Sequence, residues 1–264
     1  MRTHAQAVVI GGGVIGCSIL YHLTKLGWTD VCLLERDELT SGSTWHAAAN
    51  IHGLHDNNNI TRIQNYTMDL YNSLEAETGQ SCGVFQPGSL YLAQTEAREH
   101  QLRLQEAKAR FYGLNFHEIS RERAKELHPL AQFDDIRCIM YEPDGGNVDP
   151  SGVTMAYAAG ARAMGAEIQR FCPVIGTDQQ PDGSWIVRTE KGDIHTQWVV
   201  NANMEEDVVY DVTRALWHPN NRKLLDNGHI KGKLIRPETA LDGVSTPLHA
   251  GAEKYYRENG MIEN

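Results

Sequence analysis

The sequence predicts an α/β fold with a parallel sheet at its core, and two observations carry this prediction. An apolar strand over residues 7–10 runs directly into a glycine-rich turn, and the residues after the turn recur at helical spacing. A second apolar run over residues 31–34 follows a helix stop at Gly27. Strand, helix and strand in this order form a β-α-β unit with two buried parallel strands.

The turn of this unit has the pattern Gly-x-Gly-x-x-Gly, at Gly11, Gly13 and Gly16. Gly11 permits a tight turn, Gly13 lets the backbone approach a pyrophosphate, and Gly16 lets the helix pack close to the strand. The pyrophosphate then lies at a helix N-terminus, where N–H groups and the helix dipole favour negative charge. Glu35 ends the second strand about 20 residues after Gly16, where a carboxylate accepts ribose hydroxyls. The pattern indicates a dinucleotide, and the carboxylate disfavours NADP; the alternative is a structural turn in another α/β protein.

The elements along the chain are predicted from periodicity and from start and stop residues. The first helix has an apolar stripe at Ile15, Ile19, Leu23 and Leu26, and a helix over residues 61–78 has one at Ile63, Tyr66, Leu70 and Leu74. Residues 95–111 predict a charged surface helix, Ser120 caps a short helix that ends before Pro129, and Gly165 ends a helix over residues 151–164.

The remaining segments predict short strands, a hairpin and a loop. Residues 37–60 are polar and irregular, and Asp182-Gly183 is a hairpin signal. The strands are expected at residues 85–92 after a turn, and at 137–141, 174–175, 185–187 and 197–201. Strand and helix segments between two nucleotide-binding halves favour a flavoprotein, because a flavin enzyme must reach both dinucleotide and substrate.

Length, charge and cysteine usage limit the class of protein. A chain of 264 residues is long enough for about two domains. The net charge is −10, from 24 basic and 34 acidic residues, so no nucleic-acid partner is expected. No apolar run is long enough for a membrane span, and no signal-peptide pattern precedes the first strand. Five dispersed cysteines indicate reduced thiols, so we expect a cytoplasmic location, and the histidines lack metal-site spacing.

One loop carries the most specific signal in the chain. Residues 40–48 read T-S-G-S-T-W-H-A-A, and we call them the Trp-His loop. This segment resembles the flavin-linkage loop of dimethylglycine and sarcosine dehydrogenases, in the D-amino-acid-oxidase superfamily. The resemblance continues at residues 85–90, 141–150, 154–156 and 199–202, and it covers about residues 6–202.

The resemblance implies FAD, joined covalently through His46 to the 8α carbon of its isoalloxazine ring. Without this resemblance, the residues around His46 indicate an ordinary loop histidine. The family usually has glycine where this chain has Ala49, and a methyl group there is expected to crowd the flavin. By resemblance the cofactor is lined by Val14, Ile15, Glu35, Arg36, Gly42, Ser43, Thr44, Trp45, His46, Ala47, Ala48, Ala49, Asn50 and, through its backbone against the adenine, Val174.

The resemblance also sets the expected domain organisation. It implies a Rossmann-like FAD-binding domain, residues 1–80 and 146–202, interrupted by part of a mixed α+β substrate domain, residues 81–145. The family continues V-V-N-A with A-G, whereas residues 203–206 read N-M-E-E. Since the family's substrate-binding and catalytic positions lie beyond this point, no catalytic residue is named.

The tail, residues 203–264, diverges from that family. An amphipathic helix is predicted around residues 208–216, and residues 237–260 resemble the C-terminal end of TAXI-type substrate-binding subunits of TRAP transporters. Those proteins are periplasmic, in conflict with the cytoplasmic expectation. We therefore hypothesise a fusion, a frameshift or an assembly join near residue 203, with a helical tail after it.

The leading functional hypothesis is an FAD-dependent amine oxidoreductase that demethylates an N-methylated glycine, either dimethylglycine or sarcosine. We expect low activity, because the resemblance lacks the substrate half. The electron acceptor stays open. The alternatives are a non-catalytic FAD-binding fragment and an NAD-dependent dehydrogenase; a solute-binding protein rests on the tail alone.

Overall fold

A computed structural model describes residues 2–55, 57–202, 214, 248 and 250–262. The chain divides into two compact units, residues 1–202 and 203–264. The helices of the first unit are α1 (Val14–Lys25), α2 (Asn58–Thr78), α3 (Glu96–Tyr112), α4 (Arg121–Leu127) and α5 (Pro150–Ala163), with a short 3-10 helix at Ser43–His46. Its strands are β1 (His4–Ile10), β2 (Val31–Leu34), β3 (Asn50–Ile51), β4 (Ser89–Ala93), β5 (His117–Glu118), β6 (Cys138–Glu142), β7 (Gly146–Asn147), β8 (Glu167–Gln169), β9 (Val174–Gln179), β10 (Trp185–Thr189) and β11 (Gly192–Asn201).

The main sheet of the first unit has the order β8-β2-β1-β11-β10-β9. Its first four strands are parallel, so the predicted parallel sheet is confirmed. The strands β9 and β10 are antiparallel, and Gly183 between them has φ +85°, so the hairpin signal at Asp182-Gly183 is confirmed too. Strand β1 lies between β2 and β11, with Val8 and Val9 fully buried.

The two faces of this sheet carry separate hydrophobic cores. Val9 belongs to a core with α1 and α5, through Leu20, Tyr21 and Tyr157. Val8 belongs to a core on the other face, formed with residues of β2, β10 and β11. The division follows from the pleat of β1, which directs successive side chains to opposite faces.

A second sheet, β4-β6-β5, is antiparallel and packs against α3. A two-stranded ribbon of β3 and β7 is the third sheet of the described residues. In this ribbon Asn50, which follows the Trp-His loop, pairs with Asn147, which precedes α5. The ribbon therefore joins the predicted flavin loop to the segment that re-enters the main sheet.

The apolar stripe predicted for α1 is wrong in part. Ile15 is 60% exposed and Leu26, just beyond the helix, is 77% exposed. The buried residues of α1 are instead Gly16, Cys17, Leu20, Tyr21 and Thr24. The stripe is rotated because Gly16 rests on the glycine turn, which fixes the side of the helix that faces the sheet.

Helix α2 also differs from its prediction. It begins at Asn58, because the Asn57 side chain accepts hydrogen bonds from the N–H groups of Asn59 and Ile60. Ile63 and Tyr66 are 63% and 51% exposed, whereas Leu70 and Leu74 are buried as predicted. The interval predicted as irregular contains the 3-10 helix and β3.

Helix α4 agrees with its predicted start signal. Ser120 accepts a hydrogen bond from the N–H of Arg123 and caps α4, as predicted. In the second unit one helix is described, α6 (Ala250–Glu258), with Tyr255 and Tyr256 buried. The helix predicted around residues 208–216 lies outside the described residues, apart from residue 214. No helix within the described ranges is long and apolar enough to cross a membrane.

The corrected face of α2 gives a direct stability test. We expect Leu74→Ala to lower the free energy of unfolding by about 2–5 kcal/mol, because it opens a cavity in the core shared with α1 and α5. Ile63→Ala is the matched control on the same helix, and we expect a change below about 0.5 kcal/mol there. Urea denaturation followed by circular dichroism measures both, and equal losses would contradict the observed packing.

Candidate functional site

The glycine turn lies between the carboxyl end of β1 and the first residue of α1. Gly11 has φ +109°, which only glycine adopts readily, and this confirms its predicted role in the turn. A Cβ built at Gly16 would overlap the Gly11 carbonyl oxygen, so the close helix–strand approach predicted for Gly16 is confirmed as well. A Cβ at Gly13 would lie 2.9 Å from Thr44 Oγ1, which places the Trp-His loop directly beside the turn.

The N-terminus of α1 has the properties of an anion site. Gly13 is its N-cap and supplies no side chain to cap it. The first turn of α1, which is fully described, carries no acidic side chain. The positive end of the helix dipole and the backbone of this turn therefore favour negative charge here. The N–H of Val14 donates to Thr44 Oγ1 at 3.0 Å, and Ile15 presents an exposed side chain next to it.

Glu35 is half-buried and stands against the turn. Its Oε2 accepts from the Gly12 N–H at 2.6 Å, and its Oε1 accepts from the Asp37 N–H at 2.9 Å. Since a carboxylate offers about four acceptor positions, two remain for further donors. Arg36 is exposed and lies 3.6 Å from the Asp37 carboxylate.

Val174 begins β9 on the neighbouring segment. Cys172, two residues before it, donates its N–H to the Glu35 carbonyl at 2.8 Å. The side chain of Val174 is half-buried and packs against the core beneath β2. The structure therefore brings the segment of Val174 to the end of β2, beside Glu35.

The Trp-His loop is fixed to the turn at its beginning. The Thr40 N–H donates to the Gly12 carbonyl at 3.1 Å, and Thr44 accepts from Val14 as described above. Within the 3-10 helix the rings of Trp45 and His46 lie 3.8 Å apart between centroids. The side chains of the loop that stay exposed are Ser43, Trp45, His46, Ala47 and Ala48, with Gly42 exposed beside them.

The ring of His46 has a defined hydrogen-bonding partner. Its Nδ1 lies 3.1 Å from the Gly42 carbonyl oxygen. Because a carbonyl oxygen only accepts, Nδ1 carries the proton in this arrangement. In the neutral form of the ring the other nitrogen, Nε2, then has the lone pair.

The backbone at Ala49 has a conformation that favours glycine, the residue that the family usually has at this position. Its φ is +51°, in the left-handed region that favours glycine, and its carbonyl accepts from the Val148 N–H at 3.1 Å. The cost of the methyl group is therefore strain in the backbone of the loop itself. The next residue, Asn50, is exposed and begins β3.

A buried carboxylate at the far end of this loop was missed in the sequence. Glu142 is 4% exposed, and its two oxygens accept from the Gly53 N–H and the Tyr91 hydroxyl, each at 2.6 Å. Burial and the neighbouring carboxylate raise the pKa of Tyr91. Glu142 lies in β6 and Tyr91 in β4, so this pair fixes the residues after β3 to the second sheet. Only the folded arrangement reveals this role, because Glu142 is one acidic residue among 34 acidic residues.

The cysteines offer no further reactive centre in the described ranges. All five cysteines are buried. Burial raises the pKa of Cys17 to about 12 and that of Cys32 to about 11, so neither forms a thiolate at neutral pH. No group of three or more His, Cys, Asp and Glu side chains among the described residues could hold a metal ion.

Comparisons with known proteins agree with this geometry. A family model described as FAD dependent oxidoreductase matches residues 6–205, and an NMT1-like family model matches residues 193–260. The chain is 41% identical over 201 residues to mitochondrial dimethylglycine dehydrogenase of Mus musculus, covering 76% of the chain and 23% of that protein. It is 37% identical over 203 residues to mitochondrial sarcosine dehydrogenase of Homo sapiens, covering 75% and 22%.

A solved structure gives the same result for the fold. L-proline dehydrogenase from P. horikoshii superposes with a TM-score of 0.71 at 28% identity, over 77% of this chain and 54% of that one. The chain thus spans less than a quarter of dimethylglycine dehydrogenase and about half of the smaller L-proline dehydrogenase.

The strained backbone at Ala49 generates a prediction of increased stability. We expect Ala49→Gly to raise the free energy of unfolding by about 0.5–1 kcal/mol, because relief of the left-handed alanine outweighs the added chain entropy of glycine. Ala48→Gly is the control next to it. It lacks such strain and should lower stability by about 0.4–1 kcal/mol. Urea denaturation of the two variants checks the opposite signs.

Proposed function

The chain belongs to the family of FAD dependent oxidoreductases, and from that premise we propose that it binds FAD over the glycine turn as the cofactor-binding part of an amine oxidoreductase. We propose an N-methylated glycine, dimethylglycine or sarcosine, as the substrate. The support is the identity to the dehydrogenases that carry those names. The observation that carries the proposal is the hydrogen bond from Val14 N–H to Thr44 Oγ1, which joins the Trp-His loop to the N-terminus of α1.

The residues at the turn suit a dinucleotide. The pyrophosphate would lie at the backbone of Gly13, Val14 and Ile15, where the helix N-terminus favours negative charge. The Val14 N–H would donate to it only on leaving Thr44 Oγ1, its partner in the structure. Glu35 retains acceptor capacity for ribose hydroxyls, with Arg36 beside it. Val174 would approach the adenine through its backbone, since its segment is fixed to the Glu35 carbonyl.

The loop residues 42–50 would contact the isoalloxazine end of the cofactor. We propose that His46 bonds covalently to the 8α carbon of the flavin, through Nε2. The support is the Gly42 carbonyl, which keeps the proton on Nδ1 and leaves Nε2 with the lone pair that a new C–N bond requires. The exposed position of His46 makes this nitrogen accessible.

Bound FAD would supply the two-electron acceptor for oxidation of a carbon–nitrogen bond. The chain's own residues bind and orient the cofactor: the turn fixes its charged middle, and the Trp-His loop fixes its reactive end. We assign no catalytic residue among the described residues.

We further propose the domain organisation expected from the sequence. Residues 1–80 and 146–202 would form the FAD-binding domain, residues 81–145 part of a substrate domain, and residues 203–264 a divergent segment that follows a fusion, a frameshift or an assembly join. The boundary between the two compact units, after residue 202, supports this division. The family matches overlap only over residues 193–205, which also supports a join there. Cytoplasmic location stays a prediction.

Covalent attachment is tested by acid precipitation of the purified protein. We expect a fluorescent flavin in the precipitated protein, and we expect His46→Ala to move all flavin to the supernatant. His100→Ala, an exposed histidine on α3, is the matched control and should keep the flavin in the pellet. Flavin in the supernatant of the native protein would contradict the covalent bond alone, whereas a colourless native protein would contradict FAD binding itself.

Turnover separates an enzyme from a cofactor-binding fragment. We expect the flavin-loaded chain to oxidise sarcosine and dimethylglycine weakly or not at all with an artificial electron acceptor. The reason is that the chain matches less than a quarter of the length of the two dehydrogenases. Formaldehyde release measures the reaction. Robust turnover would show that residues 81–145 already provide the substrate site, and would contradict the expected low activity.

A further inference from the structure

Two histidines meet at the end of the main sheet opposite to the glycine turn. His4 begins β1 and His195 lies in β11, and the two residues are direct partners in the parallel register. Their rings are stacked, with centroids 5.2 Å apart and planes 20° from parallel. Both side chains are exposed. They project from the same face of the sheet, and solvent reaches both.

The surroundings leave two imidazoles as the metal-binding groups of this surface. The two rings line an open pocket of about 460 Å³ together with Asp30. The Asp30 carboxylate is paired with the guanidinium of Arg2, so its charge is already compensated. Thr3 lies 3.0 Å from His4 Nδ1 through its Oγ1, and its carbonyl accepts from the His195 N–H. His4 Nε2 is therefore the ring nitrogen directed away from the Thr3 contact.

We propose that His4 and His195 together bind one divalent transition-metal ion of the class that prefers imidazole, namely Zn²⁺, Ni²⁺ or Cu²⁺. Two metal–nitrogen bonds of about 2.1 Å hold the ligating nitrogens at most about 4 Å apart. Because each lone pair lies in the plane of its ring, the stacked rings, 5.2 Å apart between centroids, have to turn toward one another to share an ion. Exposed side chains change rotamer within nanoseconds, so both rings are able to make this turn. Water molecules complete the coordination shell.

The site is distinct from the proposed cofactor site. β1 separates the His4 end of the sheet from the glycine turn by roughly 20 Å, at about 3.3 Å per residue. No residue that we assign to FAD binding takes part in the metal site. A test of the metal site therefore does not decide the proposed function, and the reverse also holds.

Metal binding at this pair is coupled to folding of the sheet. His4 and His195 belong to the first and the last strand of the first unit, residues 1–202. Only the parallel pairing of β1 with β11 brings them together. An ion that binds the folded state and not the unfolded chain raises the melting temperature. The pair would therefore hold together the two ends of the unit.

Isothermal titration calorimetry with Ni²⁺ on the full chain tests the proposal. We expect saturable binding of one ion, weakened about tenfold or more in both His4→Ala and His195→Ala. His128→Ala, an exposed histidine after α4, is the matched control and should bind like the native protein. Since the pair lies at the surface, both variants are expected to fold, and circular dichroism confirms this.

Two outcomes would overturn the proposal. One is the absence of saturable Ni²⁺ binding by the native chain. The other is unchanged affinity in His195→Ala, which would place the ion at the chain's amino-terminal segment or elsewhere. Thermal melting gives an independent readout: Ni²⁺ should raise the melting temperature of the native protein and of His128→Ala, and leave that of His195→Ala unchanged.

Discussion

The contact between Gly16 and the Gly11 carbonyl oxygen determines how the helical layer meets the main sheet. No side chain fits between these two residues, so α1 approaches the end of β1 backbone to backbone. This approach turns Leu20 and Tyr21 toward the sheet, where both are almost fully buried. A Cβ at Gly160 of α5 would lie 2.8 Å from the Tyr21 ring, so the position of α5 depends on that of α1. The N-terminal end of α1, where we propose that the pyrophosphate lies, is fixed by the same contact.

The turn also organises the loops that converge on it. Gly12 donates its N–H to Glu35 and accepts from the Thr40 N–H, so one residue connects the end of β2 with the start of the Trp-His loop. A Cβ at Gly12 would come within 2.9 Å of the Glu35 side chain. Each such hydrogen bond contributes about 0.5–1.5 kcal/mol, and together they orient the Glu35 carboxylate and the loop before any ligand arrives. The acceptor groups of the site are therefore preorganised by the backbone of the turn.

The sequence predicted the parts of this arrangement that depend on neighbouring residues. The glycine turn, both strands beside it, the cap at Ser120 and the Asp182-Gly183 hairpin are local signals, and all are present. The buried face of α2 was not predictable in full, because Ile63 is as apolar as a core residue and only tertiary packing leaves it exposed. Nor does a local pattern place β11 beside β1, since their pairing joins residues that are distant in the sequence. The left-handed conformation of Ala49 is hidden for a related reason: its residue type gives no sign of a positive φ.

The Trp-His loop combines an exposed histidine with fixed ends. At its start Thr40 and Thr44 bind the glycine turn, and after its end the Gly53 N–H is held by the buried Glu142. If the Gly53 N–H moved away, an oxygen of this buried carboxylate would lose its hydrogen bond, and that loss costs free energy. The segment that carries His46 is thus held by the glycine turn on one side and by the second sheet, through Glu142 and Gly53, on the other. An exposed histidine therefore stands on a chain segment whose two ends are both hydrogen-bonded.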